Sequence, residues 1–307
     1  MLESEGAQLS RVGTAAPDLY NDLAELSARL YKQALTRLPA DVRRAVGAAK
    51  KRETEPGARI RLQVMEEAIA TSDRTGLIVC QDTGIPVYFV AIGSGFPIDG
   101  ARMKRALASG IERATARHHL RSSVVHPITR ENPQTNTGIG VPVFHIDFVE
   151  DADWLDVLLM PKGSGSENMS FLAMLTPSEG MAGVKRFVLD SVMSAGAKPC
   201  PPTVVGVGLG GTADECVALA KLATSRPIGE HHPDPLIADL ERRLCDALNA
   251  TEIGPQGLGG LTTSFAVQIE YAYTHISMNP VALNIQCWRG ERAGARVFAD
   301  GRVEYHD

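Results

Sequence analysis

The chain has 307 residues, 44% of them hydrophobic and 22% charged, enough for one large domain or two at ~150 residues each and for a core that needs no disulfides. That composition excludes wholesale disorder, and no apolar run approaches the ~20 residues of a membrane span. A net charge of −5, from 31 basic and 36 acidic residues, gives no general attraction to nucleic acid or an acidic membrane. The first thirty residues carry several acids and no apolar secretory stretch, so a cytoplasmic, soluble protein is expected.

Residues 1–16 are small and polar and read as a flexible arm, leaving 17–307 as the folded body. From Pro17 onward, Leu19, Leu23, Leu26 and Leu30 form an apolar stripe at helical period. Helices over 40–52 and 58–72 follow, so the first part, to about residue 75, is all helix. Leu77–Cys80 and Val87–Ile92 are short apolar runs bounded by Gly and Pro and predict strands. A helix over 99–118 leads to a turn-rich stretch from Arg121 to Gly140. Strands are expected at Val141–Phe148 and Trp154–Met160, and a helix over 177–195, with Ser178 as a cap. The β-branched run Thr203–Val207 enters a glycine loop and a helix over 212–224. A helix over 235–248 and strands near 263–271 and 281–286 come next. A hairpin over 295–305 turns at Asp300-Gly301. The fold class expected is mixed α/β, a helical N-terminal part followed by a mixed-sheet body.

The five cysteines are odd in number and scattered, which argues against a disulfide framework and leaves buried thiols, a nucleophile or metal ligands. Cys216 and Cys245 sit within helical patterns and read as core packing. Cys80, Cys200 and Cys287 lie in loops beside Pro, Gly or polar residues. Iron–sulfur clusters are held by such thiolates, but separations of 120 and 87 residues match no compact metal motif. Gly206-x-Gly208-x-x-Gly211 satisfies the dinucleotide fingerprint between a strand and a helix. It lacks the acidic residue ~20 positions on at the end of a second strand, since Glu230 follows no strand. Bare amides at that helix start could still receive a carboxylate or assist a cluster. In the Lys162–Asn168 loop the lysine precedes the glycines, so it is no phosphate loop, and a tight turn is the plain reading.

Five segments occur in one order: Cys80-Gln81-Asp82-Thr83-Gly84, Asn136-Thr137-Gly138, Lys162–Asn168, Cys200-Pro201-Pro202 through Gly211, and Gly254-Pro255-Gln256-Gly257-Leu258-Gly259-Gly260. This order resembles the class I fumarase and L-tartrate dehydratase family of iron–sulfur hydro-lyases, over nearly all of the chain after about residue 20. The resemblance implies a [4Fe–4S] cluster on Cys80, Cys200 and Cys287, with one iron left open as a Lewis acid for a 2-hydroxydicarboxylate. It implies that Gln81 and Asp82 contact substrate, with Asp82 handling a proton or orienting the base. Arg121 would bind a carboxylate, His275 would act at the site, and Gly165 would allow close approach in its loop. Single-chain members continue into a second domain with further cationic groups. The end at Asp307 therefore implies an α subunit that needs a separate β subunit, and association of α subunits with one another. Its loops at 162–168 and 284–287 look closer to fumarase than to tartrate dehydratase types, so fumarate hydration is expected first, with tartrate or mesaconate as alternatives. The rival classes are an NAD(P)-binding oxidoreductase and a non-catalytic iron–sulfur protein.

Overall fold

The computed structural model describes residues 19–306; the arm expected over 1–16 lies outside them. Helix α1 (Leu19–Thr36) buries Leu23, Leu26 and Leu30, the stripe its sequence predicts. Helices α2 (Ala40–Arg52) and α3 (Pro56–Thr75) follow. The start of α3 is set by Pro56 and by the Glu55 carboxylate, which accepts the Ala58 N–H, and its end by Gly76 in the left-handed region at φ 68°. Helix α4 (Gly100–Arg117) is capped by Asp99, whose carboxylate accepts the N–H groups of Ala101 and Arg102.

The strands form two sheets. Strands β1 (Ile85–Gly93), β2 (Val143–Val149), β3 (Trp154–Lys162), β8 (Ala293–Phe298) and β9 (Val303–Tyr305) make the first, in the order β2-β1-β3-β8-β9. Strands β4 (Phe171–Leu175), β5 (Thr203–Leu209), β6 (Ser264–Tyr271) and β7 (Asn279–Gln286) make the second, in the order β4-β7-β5-β6. One core joins the first sheet to α1 and α4 through Tyr88, Leu107, Ile111, Leu155 and Leu159. A second joins the other sheet to α6 (Gly180–Ala195) and α8 (Pro235–Asn249) through Val188, Val205, Leu244, Ile269 and Ile285. Helix α7 (Ala213–Ala223) covers the opposite face, where Gly206 and Gly208 lie against its backbone. Among the described residues no helix is long and apolar enough to cross a membrane.

Three expectations change. Leu77–Cys80 forms no strand, because Val79 finds its backbone partner in the Leu35 carbonyl at the end of α1 rather than in a sheet. The helix expected over 177–195 begins as a 3-10 turn at Pro177–Glu179, and its cap is Thr176, not Ser178, with Glu179 accepting the Thr176 N–H. A one-turn helix α5 (Ser164–Glu167) and the edge strand β4 lie where the sequence shows only a loop.

Candidate active site

The topology explains how distant cysteines meet. Strands β5 and β7 are antiparallel neighbours, with Val204 opposite Gln286, so the residue before β5 and the residue after β7 leave the sheet at one end. Cys200 lies three residues before β5 and Cys287 directly follows β7, and the Trp288 N–H donates to the Cys200 carbonyl at 3.2 Å. In the first sheet, Ile85 at the start of β1 lies opposite Lys162 at the end of β3, so the Cys80 loop and the 162–168 loop share a second edge. Arg289 joins the two edges by donating Nη2 to the Asp82 carbonyl at 3.2 Å.

Each cysteine is held by its own device. The Asp82 N–H points at the Cys80 sulfur at 3.5 Å. Next to Asp82, Thr83 is fully buried and ties the loop down: its hydroxyl donates to the Arg121 carbonyl at 2.7 Å, and its carbonyl accepts the Tyr31 hydroxyl at 3.0 Å. Cys200 sits in the left-handed region at φ 56°, a conformation uncommon for a side chain larger than glycine. The Gly254–Gly260 segment braces that turn, with the Gln256 N–H donating to the Pro201 carbonyl at 2.8 Å. Cys287 is buried, and its Sγ lies 3.5 Å from the Glu291 carboxylate.

Electrostatics bind the three together. Burial pushes the Cys287 thiol up to about 12, with Glu291 adding to the rise and Arg289 opposing it. Burial also raises Cys200, and the nearby Cys80 sulfur raises it further. Thiols in this state need positive charge beside them to ionise, which a bound metal would supply. Among the described residues no group of three His, Cys, Asp or Glu is close enough to grip a single ion. Three convergent thiols without carboxylate or imidazole ligands suit soft iron–sulfur ligation, where each thiolate takes its own iron. A buried, unpartnered Arg289 Nη1 in the same cleft adds a donor free for sulfur.

The Asp82 carboxylate is engaged within the chain. Its Oδ2 accepts the Ser164 N–H at 2.7 Å and the Ser164 hydroxyl at 3.0 Å, and its Oδ1 accepts the Gly84 N–H at 3.1 Å. It thus fixes α5 against the Cys80 loop. A Cβ at Gly163 would stand 3.0 Å from that carboxylate, and one at Gly165 would meet the Lys198 carbonyl at 3.0 Å. Both glycines allow close approach; Gly163 faces Asp82, while Gly165 faces the approach to Cys200. Gln81 is exposed beside Cys80. Arg121 is also exposed, its backbone positioned by Thr83 and by the buried Asn136, whose amide donates to the Arg121 carbonyl at 3.0 Å and whose Oδ1 accepts the Ser123 N–H at 2.7 Å.

His275 does not join them. It lies on the loop after β6, where the Ala272 N–H meets the Leu209 carbonyl at the far end of β5. At ~3.3 Å per residue along β5, that end is roughly 20 Å from Cys200. The imidazole is exposed, with Nδ1 accepting the Ser277 N–H at 3.2 Å, so Nε2 faces outward.

The burial of three charged residues at the site escapes the sequence reading, because charges are read as surface groups. Lys162 is fully buried and bridges the sheets, donating to the Ile285 carbonyl and to Gln286 Oε1 at 2.8 Å, with Glu167 at 3.8 Å. Burial lowers it to about 8, against the pull of Glu167. Arg289 and Glu291 form a buried ion pair. Removing the ammonium in Lys162→Met strands the Ile285 carbonyl and the Gln286 amide oxygen in the interior, while Glu167 keeps Lys221 and Asn284, and a loss of about 3 kcal/mol in urea-unfolding stability is expected.

The glycine loop is also accounted for. Gly206 and Gly208 lie within β5, and a Cβ on either would run into the Ala220 or Cys216 carbonyl of α7. These glycines serve helix-on-sheet packing, and the fingerprint they spell carries no acidic ribose ligand.

The fumarate hydratase (Fumerase) family model matches residues 24–296. A Methanocaldococcus jannaschii protein, provisionally named L(+)-tartrate dehydratase subunit alpha, is 41% identical over 283 residues, 92% of this chain and 99% of that protein. The L(+)-tartrate dehydratase subunit alpha of Escherichia coli strain UTI89 is 36% identical over 280 residues, 91% of this chain and 92% of its own length. A match of this extent, on a chain whose loop cysteines converge, shows that the protein belongs to the fumarate hydratase (Fumerase) family of hydro-lyases.

Proposed function

We propose that residues 17–307 form the catalytic α domain of an iron–sulfur hydro-lyase that removes water from a 2-hydroxydicarboxylate. The observation that carries this reading is the meeting of Cys80, Cys200 and Cys287 with Asp82 and Arg289 at one junction of two sheets. The three thiolates would hold a [4Fe–4S] cluster, which when bound supplies a Lewis acid for the departing hydroxyl. Gln81, exposed beside Cys80, is placed to donate to a substrate oxygen. Arg121, a planar fork on a braced loop, is suited to one carboxylate. Asp82 holds the Cys80 and Ser164 loops in register, so its contribution is to orientation. The proton on the adjacent carbon must go to a base, and no side chain described above is free at this junction to take it, which supports a β subunit completing the cleft. The names of the relatives as alpha subunits support the same arrangement.

His275 reaches such a junction only from a second copy of the chain. This favours α–α association, and its outward Nε2 is the atom that would be presented. In the assembled enzyme, His275→Asn is expected to lower kcat by about 10²-fold while leaving iron content unchanged.

Fumarate was the first expectation from the loop sequences. The relatives named above are tartrate dehydratase subunits, so L(+)-tartrate becomes the leading substrate, with malate and fumarate next. Loss of water from tartrate breaks one C–O and one C–H bond and leaves an enol that tautomerises to a 2-oxodiacid. The test is anaerobic assay of this chain, alone and co-expressed with a β-subunit candidate, against L(+)-tartrate, malate and fumarate. The pair should turn over one of these diacids, and the chain alone should be slower by on the order of 10²-fold for want of half its substrate clamps. Equal turnover by the single chain would refute the need for a partner.

A further inference from the structure

Arg289 is an unusual residue to find so deep: only 4% of its surface is exposed, yet one of its two terminal nitrogens has no partner. Its other terminal nitrogen is committed. Nη2 donates to the Asp82 carbonyl at 3.2 Å, and the guanidinium is paired with Glu291. Glu291 is itself held, accepting Gln286 Nε2 at 3.1 Å, while Gln286 Oε1 takes Lys162. A chain of buried groups from Lys162 through Gln286 and Glu291 therefore fixes the guanidinium plane. A buried N–H with nothing to bond is expensive, and native structures keep such groups where a ligand completes them. The surroundings say which acceptor is meant. Arg289 lies within electrostatic reach of the sulfurs of Cys80 and Cys287, two residues before it in sequence, and beside Gly163, where a Cβ would stand 3.8 Å from Nη2.

We propose that Arg289 is a positioning residue of the cysteine site, its unpartnered Nη1–H donating to sulfur there while Nη2 locks the Cys80 loop through Asp82. The inference rests on the iron–sulfur reading above. Arginine suits the task because a rigid fork can serve three acceptors in one plane, which the single ammonium of lysine cannot. The same guanidinium offsets Glu291, whose carboxylate would otherwise press against a Cys287 thiolate at 3.5 Å. Donors and positive charge at sulfur favour the more negative, reduced cluster and so raise its potential.

The variant to compare is Arg289→Met with Glu291→Gln, which removes the buried pair together and so leaves no orphaned charge to unfold the chain. Wild type and variant are isolated anaerobically and analysed for iron and sulfide. The reduction potential is then read by a titration followed by electron paramagnetic resonance, and cluster lifetime by bleaching in air. Wild type should carry iron and sulfide; if it does not, the iron–sulfur reading fails, independently of Arg289. With a cluster in wild type, the variant should show a more negative potential and bleaching faster by about tenfold. A potential equal to wild type overturns the proposal, whatever the lifetime. Should the double variant take up no cluster, Arg289→Lys carries the same measurement, with a smaller shift in the same direction expected and an unchanged potential again decisive against it.

Discussion

Anaerobically isolated Cys287→Ala protein should lack stoichiometric iron and sulfide, and its turnover with a β subunit should fall by more than about 100-fold, since even the outer partners of a metal ligand are worth 10–100-fold. Cys287 leaves β7 beside Cys200 because β5 and β7 are paired, and its side chain is buried among Glu291 and Arg289, where a thiolate has no solvent to stabilise it. On the proposed reading its value comes from a metal partner. Cys216→Ala is the matched control. That thiol is buried against the Gly208 carbonyl, on the α7 side of the second sheet and away from the junction. Its loss should cost stability of about 1 kcal/mol and leave iron content at the wild-type level. Iron retained in Cys287→Ala, or lost in Cys216→Ala, would show that the cysteines have been sorted wrongly.

Gly208→Ala should be among the most damaging single-methyl additions at the described glycines. The added carbon would lie against the Cys216 carbonyl and close to the Ala220 N–H, both backbone atoms of α7 that cannot rotate away. Helix and sheet would have to separate, parting the contacts that Cys216, Ala220 and Ala282 make between them. A loss of at least about 3 kcal/mol in the urea-unfolding free energy is expected, at the upper end of overpacking effects. Gly229→Ala is the comparison: it has open space around the same added carbon, and only its positive φ of 101° opposes the change. The nucleotide reading predicts something else for Gly208→Ala, a lost NAD(P) affinity in a protein of unchanged stability. Calorimetry with NAD(P) on the wild-type chain, expected to show no binding, separates the two.

What the residues revealed in advance follows their physics. Long amphipathic helices such as α1, α4 and α8 show themselves through periodicity alone, and β5 through its β-branched run. Leu77–Cys80 looked like a strand because apolar residues between Gly and Pro carry no mark of whether a sheet edge awaits them. Helix α5 is a single turn held by Asp82 from another loop, so nothing local announces it. The three loop cysteines could be singled out by their neighbours, but their convergence depends on strand pairing across 120 and 87 residues, which no local pattern encodes. That Lys162, Arg289 and Glu291 are buried and paired was invisible for the opposite reason: burial of a charge is a tertiary fact. His275 was placed at the cysteine site by family order, and the sheet puts it at the other end of β5.

On the proposed reading, Cys80, Cys200 and Cys287 hold a four-iron cluster with one iron lacking a protein ligand. Mössbauer spectroscopy of the anaerobically isolated, iron-labelled enzyme with its β subunit, before and after addition of L(+)-tartrate, addresses it directly. The account predicts one iron in about four with a signal of its own that shifts on adding the diacid, the other three staying unchanged. Four equivalent irons indifferent to every diacid, or no cluster at all, would contradict it.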